Sequence, residues 1–301
     1  MRAIFFTYSF IIACVFSYSQ HYPVYSQYMF NGLAINPAYA GSREVLSIVA
    51  SSRNQWAGFE GAPKTQFLSA HLPMMKNRIG LGFQIINDKT GLSNNTSLQF
   101  LYAYRILSGK GSLAIGLSGS VQFISNKWDK IKTHSPGDIV FESNESFSKP
   151  NFGTGLYYLR ENFYMGLSSP YILKFNNSFF ANDTLNYSHV NLLFYGGFIK
   201  KISPNFKLKP SYLLKLYPEY STQLDISCLI VYNDVIWTGL SLRTSDAIVW
   251  ILEYQLSNKF RFGYAHDFTF SSLNNYSKGA NEIFLLYEFG NKTNAQGIKF
   301  F

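Results

Sequence analysis

The chain has 301 residues, of which 18% are aromatic and only 14% charged, with a net charge of +9 at pH 7. Soluble domains carry about 25% charged residues, yet beyond the first segment no apolar run reaches the roughly 18 residues that mark a spanning helix, which excludes a helical membrane protein. The Lys and Arg residues are scattered, with no basic helix or Arg-rich tract, so nucleic acid is excluded as a partner and anionic lipid or an acidic partner suits the charge better.

Residues 1–19 read as a secretory signal. Arg2 is the only charge, positions 4–16 are nearly all apolar, and Ser17-Tyr18-Ser19 offers a small-x-small cleavage pattern before Gln20. An alternative reading makes Cys14 an acylated cysteine of a lipoprotein signal. Cys228 is then the one cysteine left. A single thiol forms neither a disulfide framework nor a thiolate metal site, so an apolar, packed thiol is expected.

Residues 20–43 do not alternate. Asn31-Gly32 and Asn36-Pro37 are turn dipeptides, and the many aromatics here need something to pack on. We expect an N-terminal aromatic segment on the periplasmic side, acting as a plug or cap at one mouth of a barrel, or else an ordinary N-terminal loop.

Residues 44–289 hold about fourteen candidate strands, at 44–55, 64–73, 78–87, 95–107, 111–124, 151–159, 163–169, 190–200, 206–216, 223–231, 235–243, 247–255, 260–268 and 281–289. The stretch 111–123 shows the pattern most clearly. Leu113, Ile115, Leu117, Val121 and Phe123 fall on one face, and Ala114, Gly116, Ser118, Ser120 and Gln122 on the other. A period of two is that of a strand, and about 9–11 residues suffice to cross a hydrocarbon layer at a tilt. Elsewhere Phe100, Tyr102 and Tyr104 alternate with Gln99 and Arg105. Leu208, Tyr212 and Leu214 alternate with Lys207, Lys209, Ser211 and Lys215, with Pro210 expected to force a bulge or an edge there. The last strand puts Ile283, Leu285, Tyr287 and Phe289 on one face and Glu282, Phe284, Leu286 and Glu288 on the other. Gly80, Gly82, Gly116 and Gly119 are strand glycines expected to mark bends or close packing. Residues 290–301 form a polar C-terminal tail.

The connections support the same reading. Short turns are expected at 74–77, 108–110, 160–162, 202–205, 232–234 and 255–259. Longer connections are expected at 56–63, 88–94, 125–150, 170–189, 217–222 and 269–280, with 244–246 the short exception. Short turns alternating with long loops are the mark of an outer-membrane barrel with periplasmic turns and extracellular loops. The fold expected is therefore all-β, a transmembrane antiparallel β-barrel of about fourteen strands.

Little in the chain points to chemistry. No two of the five histidines have metal-ligand spacing, and there is neither a G-x-S-x-G elbow nor a phosphate loop. His266 and Asp267 are strand neighbours and point to opposite faces, which weakens a hydrolase reading. No enzyme, cofactor or metal is expected. Trp128, Phe141, Phe147, Phe175, Phe179 and Phe180 lie among polar residues of the two longest loops. They are the candidate partner-binding anchors, the alternative being loops folded onto each other over the lumen.

Residues 25–41 (YSQYMFNGLAINPAYAG), 53–59 (RNQWAGF) with 61–63 (GAP), 150–157 (PNFGTGLY), 237–247 (WTGLSLRTSDA), 262–267 (FGYAHD) and 279–289 (GANEIFLLYEF) together resemble the PorP/SprF family of the type IX secretion system. The N-terminal block is the specific part, and the resemblance spans the whole mature chain. Where the family often has a Gly-Ser-His-Glu-Ile-like run, this chain reads Gly279-Ala280-Asn281-Glu282-Ile283, without the histidine. The resemblance implies an integral outer-membrane protein supporting export or surface attachment of large adhesins through the adhesin's C-terminal domain. It also implies association with the periplasmic lipoprotein ring of the same machine. The competing reading is a porin or small-solute transporter, with Arg105, Lys207, Lys209, Lys215, Arg243 and Arg261 lining an anion path. The same charges suit a closed lumen crossed by pairs with Glu253, Glu282 and Glu288.

Overall fold

A computed structural model describes residues 25–130, 144–175, 185–186, 190–218, 221–270 and 277–290. Fourteen strands make the wall: β1 (Leu46–Asn54), β2 (Lys64–Met74), β3 (Ile79–Thr90), β4 (Ser93–Ser108), β5 (Gly111–Asn126), β6 (Glu145–Arg160), β7 (Phe163–Ser169), β8 (Leu192–Phe198, resuming at Lys200–Lys201), β9 (Phe206–Leu216), β10 (Gln223–Tyr232), β11 (Ile236–Arg243), β12 (Ala247–Gln255), β13 (Phe260–Thr269) and β14 (Ala280–Phe289). Each pairs antiparallel with its neighbours in sequence, and β1 pairs with β14, from Leu46 opposite Phe289 to Asn54 opposite Asn281. The sheet is thus a closed up-and-down barrel. Full closure leaves no edge along the β1–β14 seam, and a lipid-exposed edge would strand unpaired N–H and C=O groups in hydrocarbon.

The pleat sorts the side chains. On β5, Leu117 is 59% exposed while Ala114, on the opposite face, is wholly buried. Phe100, Phe152, Ile226, Leu240, Phe268 and Ile283 are likewise exposed, and Gln99, Ser227, Ser241, Asp267 and Glu282 are buried. The greasy face is outside and the polar face inside, inverting a soluble protein as a barrel in lipid must. The short turns 75–78, 109–110, 161–162, 202–205, 233–235 and 256–259 gather at one end, called here the turn end. The strand ends that flank the connections 55–63, 127–144, 170–191, 217–222 and 270–279 lie at the other, the loop end.

Several expectations are corrected. The 88–94 connection is a two-residue turn, because β3 runs on to Thr90 and β4 starts at Ser93. The 125–150 loop is shorter than expected, since β5 reaches Asn126 and β6 begins at Glu145, placing Phe147 on a strand opposite Ile124. Pro210 makes no bulge: the β8–β9 register is unchanged on both sides of it, and the ladder simply lapses at Phe198 and Ile199. A proline has no N–H to give there, and Ile199 donates its own N–H to the Asn162 carbonyl (2.9 Å). Cys228 is exposed on the outer face between Ile226 and Ile230 rather than packed inside. Gly119 has nothing near its missing side chain.

Candidate functional site: the filled lumen

Residues 26–43 are buried throughout. They lie inside the barrel, and their partners show that they run its whole length rather than sitting at one mouth. Ser26 and Gln27 touch Arg53, Arg243, Asp267 and Glu282, all at the loop end of their strands. Gly41 and Arg43 touch His71, Arg105 and Glu288, all at the turn end. Between them the chain makes two single 3-10 turns, Gly32–Ala34 and Pro37–Tyr39. The second starts at Asn36, whose side-chain oxygen accepts from the Ala38 N–H (2.8 Å) while its amide donates to the Leu156 carbonyl (2.9 Å). A short turn-rich path of this kind satisfies its backbone locally where no ladder is on offer.

The loop-end anchor is a buried charge cluster. Asp267 accepts from Arg53 (2.7 Å) and Arg243 (2.8 Å). The Ser26 hydroxyl donates to Asp267 (2.9 Å) and accepts from Arg53 (2.8 Å) and Arg243 (3.0 Å). One donor and two acceptor sites are all that a serine hydroxyl has, so this one is saturated. Glu282 accepts the backbone N–H groups of Ser26 (2.8 Å) and Gln27 (3.3 Å) and faces Arg53 at 3.6 Å. Asp225 links Arg243 (3.5 Å) to Lys215 (3.2 Å). Three cations, Arg53, Arg243 and Lys215, thus meet four carboxylates, Asp225, Asp267, Glu282 and, at the edge of the cluster, Asp246, which Arg243 reaches at 3.2 Å. Charges this deep persist only when paired.

The middle is aromatic. The Lys209 ammonium, fully buried, lies 4.7 Å from the Phe30 ring centre and 5.3 Å from that of Trp237. Arg261 covers the same Trp237 at 4.6 Å and pairs with Glu253 at 3.4 Å. Tyr39 meets the Tyr157 ring edge-on at 5.4 Å. Tyr28 reaches Ser227 through its hydroxyl (3.3 Å).

At the turn end, Arg105 donates to the carbonyls of Ala40 (2.9 Å), Gly41 (3.1 Å) and Asn77 (3.2 Å). The Gly41 N–H donates to His71 Nδ1 (3.0 Å). An N–H aimed at Nδ1 requires that nitrogen to be bare, so the imidazole proton sits on Nε2. Arg43 donates to the Tyr39 hydroxyl (3.0 Å) and faces Glu288 at 3.6 Å.

The wall makes room for the segment with missing side chains. A Cβ on Gly80 would lie 1.9 Å from the Ala40 carbonyl oxygen, and one on Gly116 2.1 Å from the Ala38 nitrogen. Backbone rests directly on backbone at both places.

Of the charges expected to line the lumen, Arg105, Lys209, Lys215, Arg243 and Arg261 do so, and Glu253, Glu282 and Glu288 are their inward neighbours. Lys207 pairs instead with Asp234 at the turn end (2.6 Å). Asp267 is inside and His266 outside, bonded to Asn281 (2.9 Å), so the two do not act together. Arg53 and Arg43 were missed as lumen residues. Their partners are up to 245 positions away, Arg43 with Glu288 being the extreme case, and no local pattern reports that.

Among the loop aromatics, Trp128 follows β5 and donates to Glu145 (3.3 Å). Phe147 is half-buried on β6, with the Lys149 ammonium 4.8 Å from its ring. Trp128 and Phe147 flank the described margins of the β5–β6 connection. Phe175 belongs to a two-residue strand, Lys174–Phe175, paired with Leu185–Asn186. Phe141, Phe179 and Phe180 lie outside the described residues. A cavity of about 50 Å³ opens at the loop end between Tyr25, Tyr28 and Ile35 on one side and Leu193, Leu213 and Tyr171 on the other. Among the described residues no group of His, Cys, Asp and Glu is arranged to hold a metal ion.

Solved structures with the same architecture are outer-membrane barrels. The CymD monoaromatic hydrocarbon channel matches with a TM-score of 0.53 at 12% identity, over 91% of this chain and 95% of that one. A KdgM porin matches at 0.41 and 11% identity, over 81% and 99%. Omp33 of Acinetobacter baumannii matches at 0.47 and 6% identity, over 82% and 100%. At such identities the likeness is one of fold. No curated protein sequence matches the chain. The model of the type IX secretion system membrane protein PorP/SprF matches residues 17–287, and the chain belongs to that family.

Proposed function

We propose that this barrel is a non-enzymatic outer-membrane component of the type IX secretion system that supports secretion or surface attachment of a large adhesin-type substrate, docking the substrate's C-terminal domain on its loop end. The observation that carries this reading is the filled lumen. A cylinder occupied from end to end by residues 26–43 has no path for a folded protein, and its useful surfaces are its two rims. Trp128, just past the end of β5, and Phe147, near the start of β6, are the first anchors to test, with Phe141, Phe175, Phe179 and Phe180. The turn end, which faces the periplasm in this reading, is left for ring lipoproteins of the same machine.

The test is a chromosomal deletion followed by surface labelling of the adhesin, together with capture of proteins bound to the detergent-solubilised barrel. Loss of surface adhesin and its co-purification support the reading; normal display in the deletion strain refutes it. The porin reading makes the opposite claim in planar bilayers, where a filled lumen is silent and a steady conductance would favour solute transport.

A further inference from the structure

The rim at the turn end is charged on one side. Successive turns there are neighbours in space, because each strand pairs with the next in sequence. Three in a row, 109–110, 161–162 and 202–205, carry or adjoin Lys110, Arg160, Lys200 and Lys201, all exposed. Among the described residues Glu161 is the one carboxylate in these three turns. The 75–78 turn beside them adds Lys76 and Arg78, with Glu44 before β1. Farther round the rim, Lys207 pairs with Asp234 (2.6 Å), and the 256–259 turn adds Lys259.

The pleat decides what this arc can reach. On β6 the even positions face outward, as Phe152 and Leu156 do, and Arg160 ends that row. It stands opposite Phe163 on β7 and Gly111 on β5. The Tyr158 hydroxyl lies over that glycine, 2.9 Å from where a Cβ would be, and the Tyr158 and Phe163 rings are 6.4 Å apart. On β8 the even positions face outward too, and Lys200 follows the exposed Phe198. The β8–β9 register is the same on both sides of the lapse, so Lys200 keeps the outer side, opposite Leu208. Exposed aromatics at the end of a lipid-facing row mark the level where hydrocarbon gives way to headgroups. Arg160 and Lys200 are therefore at headgroup height on the wall, the place to which long cationic side chains snorkel. A groove of about 450 Å³ opens beside them, lined by Lys110, Arg160, Glu161 and Asn162.

We infer that this arc is a binding site for anionic phospholipid, with Arg160, Lys110 and Lys200 holding the headgroup phosphate and the acyl chains lying along Phe163 and Phe198. Charge and position together select this occupant. A ligand reaching Arg160 and Lys200 from the side must present an anion at the same height at which it presents hydrocarbon to the neighbouring aromatics, and a lipid does both. An acidic protein in water would meet the tips of the turns instead. Only the assignment of this leaflet to the periplasmic side rests on the proposed function; the lipid site itself rests on the barrel and its register.

The test titrates phosphatidylglycerol and phosphatidylethanolamine onto the detergent-solubilised full chain and reads bound lipid by native mass spectrometry. The natural chain is compared with Arg160→Gln plus Lys200→Gln, with Lys207→Gln plus Lys259→Gln, which removes the same charge from the other side of the rim, and with Arg160→Lys plus Lys200→Arg, which keeps the charge. Gel mobility of unheated samples reports that each barrel is closed. A basic residue near an anionic membrane surface is worth roughly fivefold, so Arg160→Gln plus Lys200→Gln should weaken phosphatidylglycerol binding about 10- to 30-fold and leave phosphatidylethanolamine unchanged. The charge-keeping pair should bind as the natural chain does, and the Lys207 and Lys259 pair should lose less than about threefold. The natural chain gives an independent reading: its preference for phosphatidylglycerol should collapse in about 1 M salt, where exposed charges are screened within about 3 Å. Equal affinity of the natural chain for the two lipids at low salt, or equal losses in the two glutamine pairs, overturns the inference. Unchanged phosphatidylglycerol binding by Arg160→Gln plus Lys200→Gln, with loss of a co-purifying acidic protein, also overturns it and gives the arc to a protein partner.

Discussion

Replacing Gly116 by valine is the sharpest test of the filled lumen, because its control sits three residues away. Both Gly116 and Gly119 are in β5, so both substitutions gain whatever β-propensity valine brings, on a scale spanning about 1 kcal/mol. Gly119 points outward, and a carbon attached there would have nothing within 4 Å, whereas the first carbon on Gly116 would lie 2.1 Å from the Ala38 nitrogen and 2.4 Å from its Cα. Those neighbours are backbone, pinned by the Asn36 turn and by Pro37, and cannot swing aside. Overpacking of this kind costs about 1–3 kcal/mol when side chains can give way, so Gly116→Val is expected to lose at least that much relative to Gly119→Val. A loss of about 1–3 kcal/mol lowers the ratio of folded to unfolded protein roughly 5- to 150-fold. Urea titrations of the two variants refolded into lipid vesicles measure the difference, with gel mobility of unheated samples reporting the closed barrel. Bilayer recording adds a second axis, since a dislodged segment opens the lumen. Equal urea midpoints and equal silence for the two variants would refute the packing of residues 36–38 against β5.

Asp267→Ala leaves Arg53 and Arg243 buried with their shared carboxylate gone, and removing one member of a buried pair costs about 3–5 kcal/mol; the urea midpoint should fall well below that of a Ser241→Ala control. Glu282→Ala removes charge-assisted bonds to the Ser26 and Gln27 N–H groups, each worth about 1.5–3 kcal/mol, and should speed proteolytic clipping near Tyr25 while the barrel stays closed. Leu117→Arg sets a charge on the most exposed apolar position of β5 and should cost about 2–4 kcal/mol if it lies near the bilayer midplane, seen as a lower refolding yield into vesicles. Trp128→Ala with Phe147→Ala should leave the barrel's heat mobility unchanged and reduce capture of the adhesin; undiminished capture would remove the β5–β6 connection from the docking face.

The outer face was legible because lipid imposes a strict rule on it. Every second residue between Leu113 and Phe123 must be apolar or small, and that rhythm stands out without knowledge of the fold. The rule stops where lipid stops. Asn87 donates across the sheet to Asn94 (3.0 Å) and Thr96 (2.8 Å), so the ends of β3 and β4 are strands made of residues that look like loop. The start of β6, Glu145 to Lys149, misleads in the same way. The aromatic content of residues 25–41 showed that this stretch needed cover. It could not show the direction of travel, because that is fixed by Ser26 meeting Glu282, 256 positions away.

The contacts of the inner segment with both margins of the seam tie two events together. Arg53 on β1 and Glu282 and Glu288 on β14 face an empty cylinder until the segment is laid, and Ser26 and Arg43 reach their counterparts only once the first and last strands meet. An unfilled barrel would flood its polar lumen and lose the Ser26 and Arg43 contacts, and a filled but unzipped sheet would split those contacts between two separated strands. Intermediates of either kind are penalised, so zipping of the cylinder and seating of residues 26–43 approach an all-or-none step.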